Sequence, residues 1–199
     1  MFTGIIETLG RITDIQEEGS NIHFKVESEI TPELKVDQSV AHNGVCLTVT
    51  KIESSYYWVT AVQETLDKTS LGNWALNQKV NLERCLKYGG RLDGHLVQGH
   101  VDLLGTCTKK EERDGSWIFG FSFAPTEVHH VLVEKGSICI NGVSLTAFNT
   151  QKSGYFEVTI IPYTYEHTQF HTLKEGDSIN LEFDILGKYV AKMFPNSQA

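Results

Sequence analysis

Two short runs carry most of the reactive side chains of this 199-residue chain. Asn43-Gly44-Val45-Cys46-Leu47-Thr48 sets a thiol and a hydroxyl two residues apart, and Asn141-Gly142-Val143-Ser144-Leu145-Thr146 repeats the run with serine in place of cysteine. On an extended chain neighbouring side chains alternate between faces. Cys46 and Thr48 therefore share one face, Ser144 and Thr146 another, with the apolar residues turned away. Such a face either presents thiol, hydroxyl and backbone groups to a ligand edge or simply faces water. A reactive group that differs between two otherwise matching faces suits two copies of one ligand in different roles. The second cluster is Gly94-His95-Leu96-Val97-Gln98-Gly99-His100-Val101-Asp102. Its two imidazoles are five residues apart, on opposite sides of a strand or about 140° apart on a helix. Zinc-ligand spacing is absent and no Cys or Glu completes a site, so no metal is expected. Proton transfer or ligand orientation near neutral pH is open to both histidines, as is a plain role as hydrogen-bonded loop residues. His129-His130 reads as surface.

The elements that position these residues come in two copies. Besides the Asn-Gly run, Val80-Asn81-Leu82-Glu83 recurs as Ile179-Asn180-Leu181-Glu182, and Val59-Thr60 and Thr65 recur as Val158-Thr159 and Thr164. Gly4-Ile5-Ile6-Glu7-Thr8-Leu9-Gly10 matches Gly99-His100-Val101-Asp102-Leu103-Leu104-Gly105. Four blocks in the same order indicate tandem duplication into two similar domains rather than a short-repeat solenoid. The seam lies in Tyr88-Gly89-Gly90-Arg91-Leu92-Asp93-Gly94. Val45–Ile52 alternates as a strand, and Tyr56–Val62, Trp117–Phe123 and Tyr155–Ile161 are aromatic and β-branched. Many short strands favour a small closed barrel in each half. Short helical turns are expected near Pro32 and Pro125, capped by Thr31 or Thr126. From Asp184 to Phe194 apolar residues fall in a helical stripe, with Asp184 as N-cap and Pro195 as stop. That helix either packs on its own barrel or gathers several chains.

Composition narrows the partners. Hydrophobic residues make up 40% and charged residues 21%, the balance of a globular chain able to bury two cores. The formal net charge of −8 and the lack of a basic run argue against nucleic acid. No run approaches the roughly 18 apolar residues of a membrane span, and Met1-Phe2-Thr3-Gly4 does not open a signal peptide. Cys46, Cys85, Cys107 and Cys139 form no paired pattern and read as reduced thiols of a cytoplasmic protein.

Taken together, Met1-Phe2-Thr3-Gly4-Ile5, His42 to Val49, Gly94 to Asp102 and Asn141 to Thr146 resemble riboflavin synthases of the duplicated, alpha-chain type. The likeness runs from Met1 to about Met193. It implies an all-β fold of two six-stranded antiparallel Greek-key barrels, residues 1–95 and 96–194, with a C-terminal helix at about 185–194 that gathers a homotrimer. It also implies a dismutation without cofactor or metal. Two molecules of 6,7-dimethyl-8-ribityllumazine exchange a four-carbon unit to give riboflavin and 5-amino-6-ribitylamino-uracil. Each barrel would hold one substrate, with the reactive site formed between an N-terminal barrel and a C-terminal barrel of a neighbouring chain.

Functional positions carried over from the resemblance are Phe2, Ser39, Cys46, His95, His100, Lys135, Ser144 and Asp184. The first pocket is expected from Gly4, Ile5 and Ile6, from Cys46, Leu47 and Thr48, from Thr60, Ala61, Val62, Gln63, Glu64 and Thr65, and from Gly99, His100 and Val101. The second is expected from Ser144, Leu145 and Thr146 and from Thr159, Ile160, Ile161, Pro162, Tyr163 and Thr164, with Lys135 added. The reaction needs a proton taken from the C7 methyl of one lumazine and a nucleophile added to C7 of the other. His100 and His95 can move protons, and Cys46, Ser144 or water can supply the nucleophile. Gln98 stands where some members have serine. Some members associate with a lumazine synthase shell. A non-enzymatic branch of the same fold, antenna proteins that bind a lumazine or flavin, alters the Cys-Leu-Thr strand and the paired histidines, all of which are present here.

Overall fold

The computed structural model describes residues 1–127 and 130–194. The first barrel is built from β1 (Thr8–Glu18), β2 (Asn21–Glu27), β3 (Ser39–His42), β4 (Val45–Glu53), β5 (Tyr56–Ala61) and β6 (Lys79–Arg84). These close in the order β1-β2-β5-β4-β3-β6, every described pairing being antiparallel. The second barrel repeats the pattern with β7 (Leu103–Arg113), β8 (Ser116–Ser122), β9 (Ser137–Ile140), β10 (Val143–Phe148), β11 (Tyr155–Ile160) and β12 (Ser178–Phe183). Closure leaves no unpaired sheet edge, which suits a chain made of short strands.

Alternation decides which side chains fill each barrel. Val45, Leu47 and Val49 of β4 are buried with Phe24, Tyr57, Val59 and Leu82, while Cys46 is half-buried and Thr48 exposed. In the second barrel Phe119, Phe121, Phe156 and Phe170 form the corresponding core. A third cluster lies between the barrels: Phe2, Ala41, Val97 and Cys139, with Cys46 and Cys85 at its margin. The four cysteines are free thiols.

Three helices interrupt the strands. α1 (Gln63–Lys68) and α2 (Pro162–His167) follow β5 and β11 at matching places, and neither was expected from the sequence. Each is only six residues long, too short for its apolar spacing to stand out. α3 (Ile185–Met193) is capped as expected, the Asp184 carboxylate accepting the Leu186 N–H at 2.9 Å. Thr31 caps nothing. It lies inside a 3-10 turn, Thr31–Glu33, whose N-cap is Ile30, because Pro32 fixes the start of the turn one residue earlier. No such helix follows Thr126 among the described residues; His129 and Pro195 fall outside them. No described helix is long and apolar enough to cross a membrane.

Candidate functional site

The Asn-Gly runs form hairpin turns. His42 pairs with Val45 and Ile140 with Val143, leaving two-residue loops in which Asn43 and Gly44, and Asn141 and Gly142, all have positive φ. Asparagine and glycine suit that geometry best. The two turns meet back to back: a Cβ on Gly44 would stand 2.7 Å from the Gly142 nitrogen, and the converse distance is 2.8 Å. Four asparagines tie the barrels around this point. Asn43 and Asn141 accept the Asn81 and Asn180 N–H groups at 2.7 and 2.8 Å, while the Asn81 and Asn180 amides donate to the Asn141 and Asn43 carbonyls at 2.8 and 2.9 Å. Half of the recurring run is thus a pseudo-two-fold joint. Its Cys/Ser and Thr positions lie outside that joint and outside the barrel cores.

Two segments then cross over. Phe2 and Val97 exchange backbone hydrogen bonds of 2.7 and 3.1 Å, which lays residues 1–6 antiparallel to residues 95–101. Beyond this bridge each segment runs onto the opposite barrel. The Gly4 carbonyl accepts the Ser144 N–H at 2.8 Å and Ile6 packs on the second core. The Gly99 carbonyl accepts the Cys46 N–H at 2.9 Å and Val101 packs on the first core. The sequence-based grouping of Gly4, Ile5 and Ile6 with Cys46 is therefore corrected: they complete the second pocket. Position in the duplicated sequence pointed to the first half, but the chain exchanges these strands across the joint.

The second site is a cavity of about 520 Å³ lined by Ile5, Asp93, Gly94, Lys135, Ser137, Ser144, Leu145, Thr146, Phe148, Thr159, Ile161 and Thr164. Behind its lining residue Ser144, His95 Nδ1 and Ser144 Oγ are hydrogen-bonded at 2.6 Å. Burial lowers the His95 pKa and the Asp184 carboxylate opposes the shift, so the ring is neutral at neutral pH. Lys135 sits in a left-handed turn (φ 65°) with its ammonium 5.3 Å from the centre of the Phe148 ring. The matching turn of the first barrel carries Asp37 (φ 69°), so the two faces differ in charge as well as in Cys46 against Ser144. At the first face Cys46 is half-buried and hydrogen-bonded to the Ser39 side chain, and burial raises its thiol pKa. His100, the residue after Gly99, is exposed. The two histidines therefore lie on different segments of the crossing, His95 bonded to Ser144 and His100 next to the Gly99 carbonyl that accepts from Cys46.

Several predicted site residues point elsewhere. Leu47, Ala61 and Ile160 turn into the barrel cores and offer the ligand face only their backbones. Phe2 is fully buried between the barrels, where its ring would lie 2.9 Å from a Cβ on Gly99. Its backbone forms the bridge to Val97 at the crossing of the two segments. Gln63, Glu64 and Thr65 lie on α1, and Pro162, Tyr163 and Thr164 on α2, so the Thr65 and Thr164 positions are carried by matching helices. Asp184 spends one carboxylate oxygen on the α3 cap.

The lumazine binding domain family matches the chain twice, over residues 3–85 and 98–184. The chain is 38% identical over 191 residues to the riboflavin synthase of Actinobacillus pleuropneumoniae, covering 96% of this chain and 88% of that one. It is 37% identical over 191 residues to the riboflavin synthase of Bacillus subtilis, with the same coverage. The chain belongs to the riboflavin synthase family. The fold is shared with LumP: the structure of LumP complexed with riboflavin superposes with a TM-score of 0.84 at 22% identity, covering 92% of this chain and 99% of LumP.

Two residues that matter for this riboflavin synthase fold were not singled out from the sequence. The Glu83 carboxylate accepts the Thr3 and Gly4 N–H groups at 2.6 and 2.9 Å and the Thr3 hydroxyl at 2.7 Å. The Glu182 carboxylate accepts the Gln98, Gly99 and His100 N–H groups at 2.6, 2.9 and 3.0 Å. Burial raises the pKa of both, that of Glu182 to about 7. The signal was available: Asn-Leu-Glu recurs in both halves, and its alternate Asn and Glu share one strand face.

Proposed function

We propose that the chain is a riboflavin synthase that joins two 6,7-dimethyl-8-ribityllumazine molecules by four-carbon transfer, releasing riboflavin and 5-amino-6-ribitylamino-uracil. The observation that carries this reading is near-full-length relatedness to riboflavin synthases combined with two matching but chemically different faces in one chain, one at Cys46 and one at Ser144. The His95–Ser144 contact supplies a neutral base beside an alcohol, the arrangement that activates a hydroxyl or a bound water as nucleophile. The Cys46 thiol, raised by burial, stays protonated at neutral pH and acts as a hydrogen-bonding and shape-setting group, not as a thiolate. His100, exposed at the other face, moves the C7 methyl proton. Purified protein incubated with dimethyl-ribityllumazine alone should develop riboflavin absorbance. Stable binding with no conversion would favour the antenna-protein alternative.

Cys46→Ala and Ser144→Ala test the two faces separately. Melting temperature should change little for Cys46→Ala, and should fall by a few degrees for Ser144→Ala, which strands the buried His95 ring. Turnover should fall about 100-fold where the group serves proton transfer or nucleophile activation. The fall should be larger for Ser144→Ala, which also leaves His95 without its hydroxyl partner. Full activity of either variant would remove that residue from the chemistry.

The reading extends to a cytoplasmic transferase assembled as a homotrimer. Within one chain Gly4 and Gly99 lie at opposite ends of the Phe2–Val97 bridge, so the two ligands are held apart. A neighbouring chain brings the complementary pocket into contact, and holding the pair face to face supplies much of the rate. α3 is the surface for this: Leu186, Tyr189, Val190, Met193 and Phe194 are 57–71% exposed, and no α3 residue is buried against its own barrel. Truncation after Asp184 should give monomers in sedimentation that still bind lumazine but turn over at least about 100-fold more slowly. An active trimer without α3 would exclude this role. Association with a lumazine synthase shell is read on the resemblance alone and would show as co-sedimentation with that enzyme.

A further inference from the structure

We propose that Glu83 and Glu182 are positioning residues that act crosswise: each belongs to one barrel and sets the geometry of the ligand pocket on the other. Glu83 is the penultimate residue of β6 in the first barrel, yet the groups it holds are the backbone N–H groups of Thr3 and Gly4, whose segment runs on to Ser144 and lines the second cavity. Glu182 is on β12 of the second barrel, yet it holds Gln98, Gly99 and His100, whose segment runs on to Cys46. Both carboxylates are buried, at 4% and 2% exposure, and Lys188 of α3, whose charge acts on Glu182, pairs with Asp102 at 2.6 Å. A buried anion with backbone donors as its direct partners is held by those donors, and in turn it fixes them. The glycine of each segment must approach Cβ of Cys46 or Ser144 closely, so a small shift of the segment moves the pocket wall.

The role is that of geometry, because neither carboxylate lines the described cavity of the second site. Glu182 is the more sensitive of the two. Burial pushes it up to about 7, against the three N–H groups and Lys188, while the Cys139 thiol of β9 and the Cys46 thiol of β4 lie within its field. Ionised above that value, it offers only acceptors to its donors. Protonated below it, one oxygen carries a hydrogen and the clamp on Gln98–His100 is incomplete. Affinity at the first pocket should therefore fall as pH drops through about 7.

The inference rests on the two-pocket reading above, and riboflavin is the probe. Thr146→Tyr fills the second face and leaves the first; Thr48→Tyr does the reverse. In the Thr146→Tyr chain, Glu182→Gln should weaken riboflavin binding, read by fluorescence quenching, by at least about 10-fold and flatten its pH dependence, while Glu83→Gln should leave both unchanged. In the Thr48→Tyr chain the effects of the two glutamates should exchange. Thr3→Val, which deletes the hydroxyl bond to Glu83 and the longer bond from the Ile5 N–H and leaves the carboxylate, should give a smaller loss of about 3-fold in the Thr48→Tyr chain only, and it covers the case in which a Glu→Gln chain does not fold. Weakening of the pocket on the same barrel as the substituted glutamate, or equal weakening of both, would overturn the crosswise assignment alone. Failure of the unsubstituted chain to bind riboflavin would overturn the functional reading and this inference with it.

Discussion

Gly4→Ala and Gly99→Ala should each lower turnover by about 100-fold, the loss expected when a pocket wall moves by roughly an ångström. Two features of each position combine. The φ angles are +77° and +79°, a region where an L side chain costs of order 1–3 kcal/mol. The added Cβ also has nowhere to go. At Gly4 it would stand 2.6 Å from Ser144 Cβ and 2.7 Å from the Ser144 nitrogen; at Gly99, 2.6 Å from Cys46 Cβ and 2.9 Å from the Phe2 ring. The crossing segment must lift off the barrel, and its hydrogen bond to Ser144 or Cys46 opens. Gly19→Ala is the control, since Gly19 has φ +61° but nothing within 4 Å of its Cβ position. It carries the conformational cost without the collision, so its activity should match the parent while its stability drops slightly. Equal activity in all three variants would show that the crossing segments do not set the pockets.

The duplication, the barrels and the C-terminal helix were legible in the sequence because each leaves a local signature. Val45–Ile52 alternates and emerges as β4, Val45–Glu53; the apolar stripe after Asp184 emerges as α3. The two faces of the Asn-Gly run were also legible, since period-two alternation decides them. What was not legible is long-range. Nothing local to Gly4 says that its carbonyl meets Ser144, 140 residues later, and not Cys46. Nothing local to Glu83 or Glu182 separates a solvated strand-end carboxylate from a buried clamp; only the partner segment arriving from the other end of the chain makes the difference. Position in the repeat predicted which residues are equivalent, and for that same reason it assigned Gly4–Ile6 to the wrong pocket.

The exchange of segments makes one more expected result sharp. A fragment of residues 1 to about 95 contains every strand of the first barrel but lacks Gly99, which closes Cys46, and Val101, which packs on that core. As a monomer it should therefore bind no ribityllumazine or riboflavin. It carries its own Phe2–Ile6 segment, however, and that segment is built to cross onto a neighbouring barrel. Two copies can exchange it. Gly4 of each would then take the place of Gly99 against Cys46 of the other, Glu83 would keep its own Thr3 and Gly4, and the Gly44 turns would meet as Gly44 and Gly142 do. Asn81 would donate to the partner's Asn43 carbonyl in place of Asn141. The asparagine, glycine-turn and glutamate contacts of the joint all have counterparts, and only the Gln169 side-chain bonds, whose place Ser70 takes, are lost, so a symmetric dimer by strand exchange is the low-cost solution. Sedimentation combined with flavin titration tests it: binding should follow the dimer fraction and disappear on dilution below the dimer's dissociation constant. Catalysis should be absent, since the fragment has lost Ser144, His100 and Lys135. Deleting residues 1–7 from the fragment should abolish dimer and binding together. A monomer that binds riboflavin at full affinity would show that the crossing segment is dispensable, and with it the reason why each barrel needs the other.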